Sequence, residues 1–119
     1  MMYKLLKSKV HRATVTEADL EYVGSLTMDE DVMDAAGIVA HECILVADLT
    51  NGSRHTTYAI PGPRGSGVMC VNGAAARLVN VGDRIIVMCF GYFSAEEAAT
   101  HRPKIVLVDE HNRIAERLS

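Results

Sequence analysis

The pair Gly24-Ser25 is a place in the chain where residue types suggest chemistry. A serine hydroxyl can attack the preceding carbonyl, and glycine has no Cβ to obstruct that attack. The pair follows "LEYV" (residues 20–23), whose apolar and aromatic composition predicts the end of a strand. Two other Gly-Ser pairs lie in "TNGSR" and "PGPRGSG", which are typical of a hairpin tip and a loop. The residues alone favour a turn at 24–25, with a chemical role for the pair as the alternative.

Two polar clusters could line a cleft near this pair. "KVHR" (9–12) places two cations and an imidazole within four residues. "RHTTY" (54–58) predicts a strand whose alternate side chains face opposite ways, with Arg54, Thr56 and Tyr58 on one face and His55 and Thr57 on the other. Each cluster by itself is more typical of a solvated strand edge, where Lys and Arg prevent aggregation.

The segment "NGAAA" (72–76) is a strand-to-helix turn with almost no side chains. Its backbone N–H groups could approach an anionic ligand closely. A tight packing turn is the alternative.

Length and charge narrow the functional classes. A chain of 119 residues fits one compact domain, which we expect to span residues 1–119. The net charge is −3 and the cations are dispersed, so we expect no nucleic-acid partner. Lysines interrupt the apolar N-terminal stretch "MMYKLLKSKV", so we expect neither a signal peptide nor a membrane span, and a cytosolic location.

The three cysteines do not form a metal or disulfide pattern. Cys43, Cys70 and Cys89 are odd in number, and none has a CxxC partner. We therefore predict no metal site and treat all three as small core residues.

The elements predicted along the chain are mostly short strands. A hairpin is expected around Asn51-Gly52, short helices at 28–37 and 94–102, the latter with Ser94 and Glu97 at capping-box spacing, and a polar tail after residue 110. Two short helices cannot cover both faces of such apolar strands. The pattern therefore predicts a mainly β fold, a small closed or nearly closed barrel with a few short helices.

Taken together, five stretches resemble the pyruvoyl-dependent aspartate 1-decarboxylase family. They agree with it in order and spacing: "KVHRATVTEADLEYVGS", "DAAGI", "TNGSRHTTYAI", "RGSG" and "VNGAAARLVNVGD". The resemblance covers most of the first ninety residues.

This resemblance implies a small double-psi β barrel that assembles as a homotetramer. It also implies self-cleavage between Gly24 and Ser25 into residues 1–24 and 25–119, with Ser25 converted into a covalent pyruvoyl group. The implied reaction is decarboxylation of L-aspartate to β-alanine and CO2, for pantothenate and coenzyme A synthesis. The pyruvoyl ketone forms a Schiff base with the substrate amine and accepts electrons as CO2 departs. Maturation without help and maturation aided by a partner protein both remain open.

Residue roles follow from the same resemblance. Thr57 polarises the Gly24 carbonyl during cleavage, and Tyr58 is the proton donor in turnover. Arg54 is the first choice for a substrate carboxylate, with Lys9 as a second charge. The remaining implied residues contact the substrate or support the site: Asn72, Gly73, Ala74 and Ala75, and His11, Arg12 and Tyr22.

Two alternatives are kept. A small β-barrel binding or assembly module would use Gly24-Ser25 only as a turn and would remain one chain. A pyruvoyl decarboxylase acting on another amino acid would be cleaved but would differ in substrate.

Overall fold

The computed structural model describes residues 1–118, and their fold is mainly β. The elements in chain order are β1 Met2–Thr14, β2 Glu17–Asp19, β3 Ser25–Asp29, α1 Glu30–Ala36, β4 Cys43–Asp48, β5 Arg54–Gly62, β6 Met69–Asn72, a 3-10 segment Gly73–Leu78, β7 Arg84–Ser94, α2 Ala95–Thr100, β8 Lys104–Val108 and β9 Ile114–Leu118. The prediction of a mainly β, barrel-like fold with a few short helices is confirmed.

The strands form one mixed sheet in the order β2-β6-β3-β5-β4-β7-β1-β8-β9. The long strand β1 pairs antiparallel with β7 and parallel with β8. In the other half of the sheet, β3 lies parallel to β5 and antiparallel to β6. Ser25 therefore begins a strand that is held on both sides.

The core is built from the alternate residues of these strands. Val10, Val87 and Val46 lie opposite one another across β1, β7 and β4, and all three are buried. Each such side chain contributes about 1.5–3 kcal/mol when it leaves water. The alternate residues of β7 form its outer face, where Met88 is half-buried and Phe90 and Tyr92 are exposed. A nearly continuous apolar strand therefore has one core face and one outer face.

The helix predicted at 28–37 is α1, which begins at Glu30 because the preceding residues belong to β3. Asp29 accepts the N–H of Asp31 at 2.9 Å and caps the helix. Gly37 ends it in the left-handed conformation (φ 70°). The predicted β4–β5 hairpin and the Ser94–Glu97 capping box are likewise present.

Three sequence-based predictions are wrong. "LEYV" is an exposed turn rather than a strand end, because the Asp19 carboxylate accepts the Glu21 N–H and turns the chain after β2. Cys43 is exposed on the outer face at the start of β4, whereas Cys70 and Cys89 are buried as predicted. The polar tail forms β9 through residue 118, because its backbone pairs antiparallel with β8; Ser119 lies outside the described residues.

No helix within residues 1–118 is both long and apolar enough to span a membrane.

A pair of carboxyl groups joins the end of β4 to the loop before β7. Asp48 Oδ1 accepts the N–H of Thr50 at 2.7 Å, whereas Asp48 Oδ2 is buried and accepts no N–H from residues 1–118. Burial and a hydrogen bond to Asp83 raise the pKa of Asp48. The same hydrogen bond, followed by the Asn80 N–H, lowers the pKa of Asp83. Of the two carboxyl groups, Asp48 is therefore the one that keeps its proton to higher pH.

This pair makes stability depend on pH. The pKa of Asp48 is higher in the folded than in the unfolded protein. Its contribution to the free energy of unfolding is therefore complete below the unfolded pKa and is lost as pH rises through the folded pKa. Asp48→Asn supplies a permanent N–H donor, so we expect it to be more stable than wild type by about 1–3 kcal/mol once the pH exceeds the folded pKa of Asp48. Urea unfolding from pH 4 to 8 measures this. Glu116→Gln, which removes an exposed charge on β9, should keep the wild-type pH profile. A wild-type profile in Asp48→Asn as well would contradict the assignment.

Candidate functional site

Ser25 is the buried first residue of β3, and its hydroxyl is held by two partners. Ser25 Oγ accepts a hydrogen bond from Asn72 Nδ2 at 2.9 Å and donates to the Val23 carbonyl at 3.4 Å. Asn72 lies directly opposite Ser25 on β6. The pairing of the two strands therefore fixes the position of the hydroxyl.

Asn72 is itself held by its neighbours on the same sheet face. Its Nδ2 also donates to Thr27 Oγ1 at 3.1 Å, and its Oδ1 accepts from the Cys70 thiol at 3.1 Å. Burial raises the pKa of that thiol, with Glu17 and Asp19 adding to the effect, so the thiol stays protonated and can donate. These contacts fix which way the Asn72 amide points toward Ser25.

Gly73 brings the "NGAAA" turn against Gly24. Gly73 has φ 76°, and a Cβ on it would lie 2.7 Å from Gly24 Cα and 2.9 Å from Gly24 N. Only glycine permits both this backbone conformation and this approach. On its own side, Gly24 is exposed and a Cβ there would meet nothing within 4 Å. The Gly24-Ser25 peptide thus joins an exposed residue to a buried one.

A groove of about 490 Å³ lies beside this peptide. It is lined by Gly24, His55, Thr56, Thr57, Asn72, Ala74, Ala75, Arg77 and Leu78. The first half of β5 borders it, where the strand pairs with β4 on one side and β3 reaches only Ala59–Gly62 on the other. The groove therefore brings together five residues that the sequence assigned to the site: Gly24, Thr57, Asn72, Ala74 and Ala75.

The predicted cations and the predicted proton donor lie elsewhere. Lys9, His11, Arg12, Arg54 and Tyr58 do not line the groove. Lys9 pairs with Met88, Met88 with Leu45, and Leu45 with Thr56, so this row crosses the outer sheet face. Because alternate residues of a strand share a face, Arg54 and Tyr58 lie on the same outer face as Thr56 and Lys9.

Tyr22 lies in a smaller, acidic groove on the other side of Asn72. Glu17 and Asp19 line this groove together with Cys70. Tyr22 and Thr57 therefore line different grooves, and Asn72 lines both.

The "KVHR" segment is distorted by a register shift in β1 between Val10 and Ala13. Arg12 has φ 65°, and its carbonyl accepts the Arg84 guanidinium, with Nε at 2.8 Å. The Nδ1 atom of His11 is buried and has no hydrogen-bond partner in the described part of the chain. Burial lowers the pKa of His11, and the neighbouring Lys9, Arg12 and Arg84 lower it further, so this imidazole is neutral at pH 7.

Sequence reasoning placed His55 on the same strand face as Thr57, in a cluster that could line a cleft, but gave it no role. His55 Nε2 is buried without a hydrogen-bond partner among residues 1–118, and burial lowers the pKa of this imidazole. Arg77 was missed as a lining residue of the groove. It follows the alanines of "NGAAA" in the 3-10 segment, where the sequence predicted a strand-to-helix turn but not that Arg77 would reach the groove.

Within residues 1–118, no group of three or more His, Cys, Asp or Glu side chains could hold a metal ion.

Comparison with known proteins gives matches over almost the entire chain. The family model described as aspartate decarboxylase matches residues 1–115. A protein named aspartate 1-decarboxylase from Caldicellulosiruptor saccharolyticus is 57% identical over 96% of this chain and 89% of its own length. A protein of the same name from Acetivibrio thermocellus is 59% identical over 96% of this chain and 90% of its own length. One from Lactiplantibacillus plantarum is 53% identical over 99% of this chain and 91% of its own length.

The contact between Gly73 and Gly24 yields a stability prediction. Gly73→Ala adds a Cβ that clashes with backbone and also occupies a left-handed conformation. Gly52→Ala is the matched control, because Gly52 has φ 75° but a Cβ there meets nothing within 4 Å. Both variants bear the backbone penalty of about 1–2 kcal/mol. We expect Gly73→Ala to lose about 1–3 kcal/mol more in urea unfolding, and equal losses would contradict the close approach.

Proposed function

Since the chain belongs to the aspartate decarboxylase family, we propose that it cleaves its own Gly24–Ser25 bond and then decarboxylates L-aspartate to β-alanine and CO2. Decarboxylation of aspartate is the activity that the family and its named members carry. The self-cleavage, the pyruvoyl group and the supply of β-alanine to pantothenate and coenzyme A synthesis are the finer parts of the proposal.

The observation that carries the proposal is the placement of the Ser25 hydroxyl. The hydroxyl belongs to a buried residue and accepts a hydrogen bond from Asn72. Ser25 itself is the first residue of a paired strand. In the proposed cleavage, Ser25 Oγ bonds to the Gly24 carbonyl carbon as the peptide C–N bond breaks. The hydroxyl proton passes to the Ser25 nitrogen, which gives an ester and a free amino group. Thr57 lines the same groove as Gly24 and is proposed to donate to the carbonyl oxygen during this step.

The ester then opens by β-elimination. Ser25 loses its Cα proton and its Cβ–Oγ bond, residues 1–24 leave with a new carboxyl terminus, and hydrolysis of the remaining dehydroalanine releases ammonia and leaves a pyruvoyl group. That group supplies a ketone that bonds to the substrate amine and accepts the electrons left by departing CO2. The site fits it, because residue 25 is held in place through the pairing of β3 with β5 and β6 rather than through residue 24.

Substrate binding is proposed to use the outer sheet face as well as the groove. Aspartate has two carboxylates, and Arg54 and Lys9 are the proposed partners for them, with Tyr58 as proton donor and His11 and Arg12 as supporting residues. Since these residues do not line the groove of their own chain, we propose that the homotetramer places the outer face of one protomer against the groove of another. The outer face offers an apolar surface for this contact, because Phe90 is 38% exposed and Tyr92 is 67% exposed.

The cleavage proposal is tested with the three Gly-Ser pairs of the chain. Ser25→Ala removes the attacking hydroxyl without adding volume, so we expect one uncleaved chain without decarboxylase activity. Ser53→Ala and Ser66→Ala change the other two pairs and should still yield fragments of residues 1–24 and 25–119. Intact-mass measurement after prolonged warm incubation identifies the products. A cleaved Ser25→Ala chain would remove the serine from the mechanism.

The shared-site proposal is tested by complementation. Arg54→Ala should cleave itself but bind aspartate weakly, with a loss of well over tenfold because a partner of a desolvated carboxylate is missing. Ser25→Ala keeps Arg54 but has no pyruvoyl group. Co-expression of the two chains should restore β-alanine formation far above either variant alone. Some sites of a mixed tetramer then combine the pyruvoyl group of the Arg54→Ala chain with Arg54 of the Ser25→Ala chain. A mixed tetramer without restored activity would place Arg54 and residue 25 of one site on the same chain.

A further inference from the structure

A cavity of about 280 Å³ lies between the end of α1, the first half of β1 and the segment that joins α2 to β8. None of the residues proposed for cleavage or turnover lines it. Its lining includes Lys7, His101, Arg102 and Lys104 and no acidic residue.

Two of these side chains are already engaged in the fold. Lys7 Nζ donates to the Gly37 carbonyl at 3.0 Å and forms an ion pair with Glu42. His101 Nε2 donates to the Leu6 carbonyl at 2.7 Å, and its ring packs on Phe93 with centroids 4.1 Å apart. These contacts fix the walls of the cavity and leave little free charge on them.

Arg102 and Lys104 supply the free positive charge. Both are exposed, and neither has a carboxylate partner in the described part of the chain. Lys104 is held along Gly37, because a Cβ on Gly37 would lie 3.3 Å from Lys104 Cδ and 3.6 Å from its Nζ. Since Glu42 balances Lys7, the cavity has an excess of two positive charges.

Ser8 provides an independent observation. It is 1% exposed, it lines the cavity, and its buried Oγ has no hydrogen-bond partner among residues 1–118. Buried hydroxyls are normally paired, because an unpaired one loses its hydrogen bonds to water and gains none. A ligand with acceptor oxygens would supply the missing partner.

We infer that this cavity binds a phosphate-type oxyanion. Arg102, which lies just before β8, and Lys104, the first residue of β8, offer charged donors. Ser8 offers a neutral donor from β1. Donors that converge from separate elements suit an oxyanion with several acceptor oxygens. Free phosphate and the phosphate group of a monoester share this chemistry.

Titration calorimetry of the full chain with inorganic phosphate, at constant ionic strength with sodium chloride as the replaced salt, tests the site. We expect saturable binding of one phosphate per chain, weakened at least tenfold in Arg102→Ala. Arg117→Ala removes one exposed positive charge from β9, outside the cavity, and should bind as wild type does. Binding that does not saturate, or that weakens equally in both variants, would be non-specific and would overturn the inference.

Ser8→Ala separates a ligand contact from a structural role. The hydroxyl has no partner in the described chain, so the variant should keep its Tm without phosphate and bind phosphate about three- to tenfold more weakly. A lower Tm with unchanged phosphate affinity would assign the hydroxyl to the fold and overturn the site.

Glycerol phosphate in place of inorganic phosphate distinguishes the two sources of the oxyanion. Tighter binding of glycerol phosphate supports a monoester ligand, and weaker binding supports free phosphate.

Discussion

The close approach of Gly73 to Gly24 is the contact on which the candidate site depends. A Cβ at residue 73 would come within 3 Å of two Gly24 backbone atoms, so the space between the two chain segments is filled by backbone alone. Asn72, one residue earlier, then has its amide beside the Ser25 hydroxyl. The pairing of β6 with β3 and this backbone contact together place the Ser25 hydroxyl and the Asn72 amide next to the exposed residue Gly24.

The alternation of β5 distributes polar residues over two surfaces. Thr57 and His55 line the groove at the free edge of the strand, whereas Arg54 and Tyr58 face outward over the sheet. Of "RHTTY", the three central residues line the groove, whereas Arg54 and Tyr58 do not. The groove of one chain therefore lacks the residues that are proposed to bind a carboxylate and to donate the proton. This is the physical reason why a complete aspartate site, with its cations, is proposed to require a second protomer.

Much of the fold follows from local signals in the sequence. The Asn51-Gly52 hairpin, the Gly37 end of α1 and the Ser94 capping box depend on neighbouring residues only, and all three are present. The exposed turn at 20–23 and strand β9 also depend on nearby residues, Asp19 for the turn and β8 for the strand. They were missed because the apolar composition of the first and the polar composition of the second point to the opposite structure. In the site, the resemblance brought together the groove residues, but Arg77 and the separation of Arg54 from the groove required the three-dimensional register.

The position of residues 20–24 explains how a bond could be cut without loss of the fold. Residues 1–19 are held through β1 and β2, which pair with β7, β8 and β6, and residues from Ser25 onward are held through β3. Between them lies an exposed turn in which Leu20, Tyr22 and Val23 contribute little burial. Cutting after Gly24 would therefore free only this turn. The proposed fragments would remain paired along β1 and β2, and residue 25 would keep the position that Asn72 and the neighbouring strands give it.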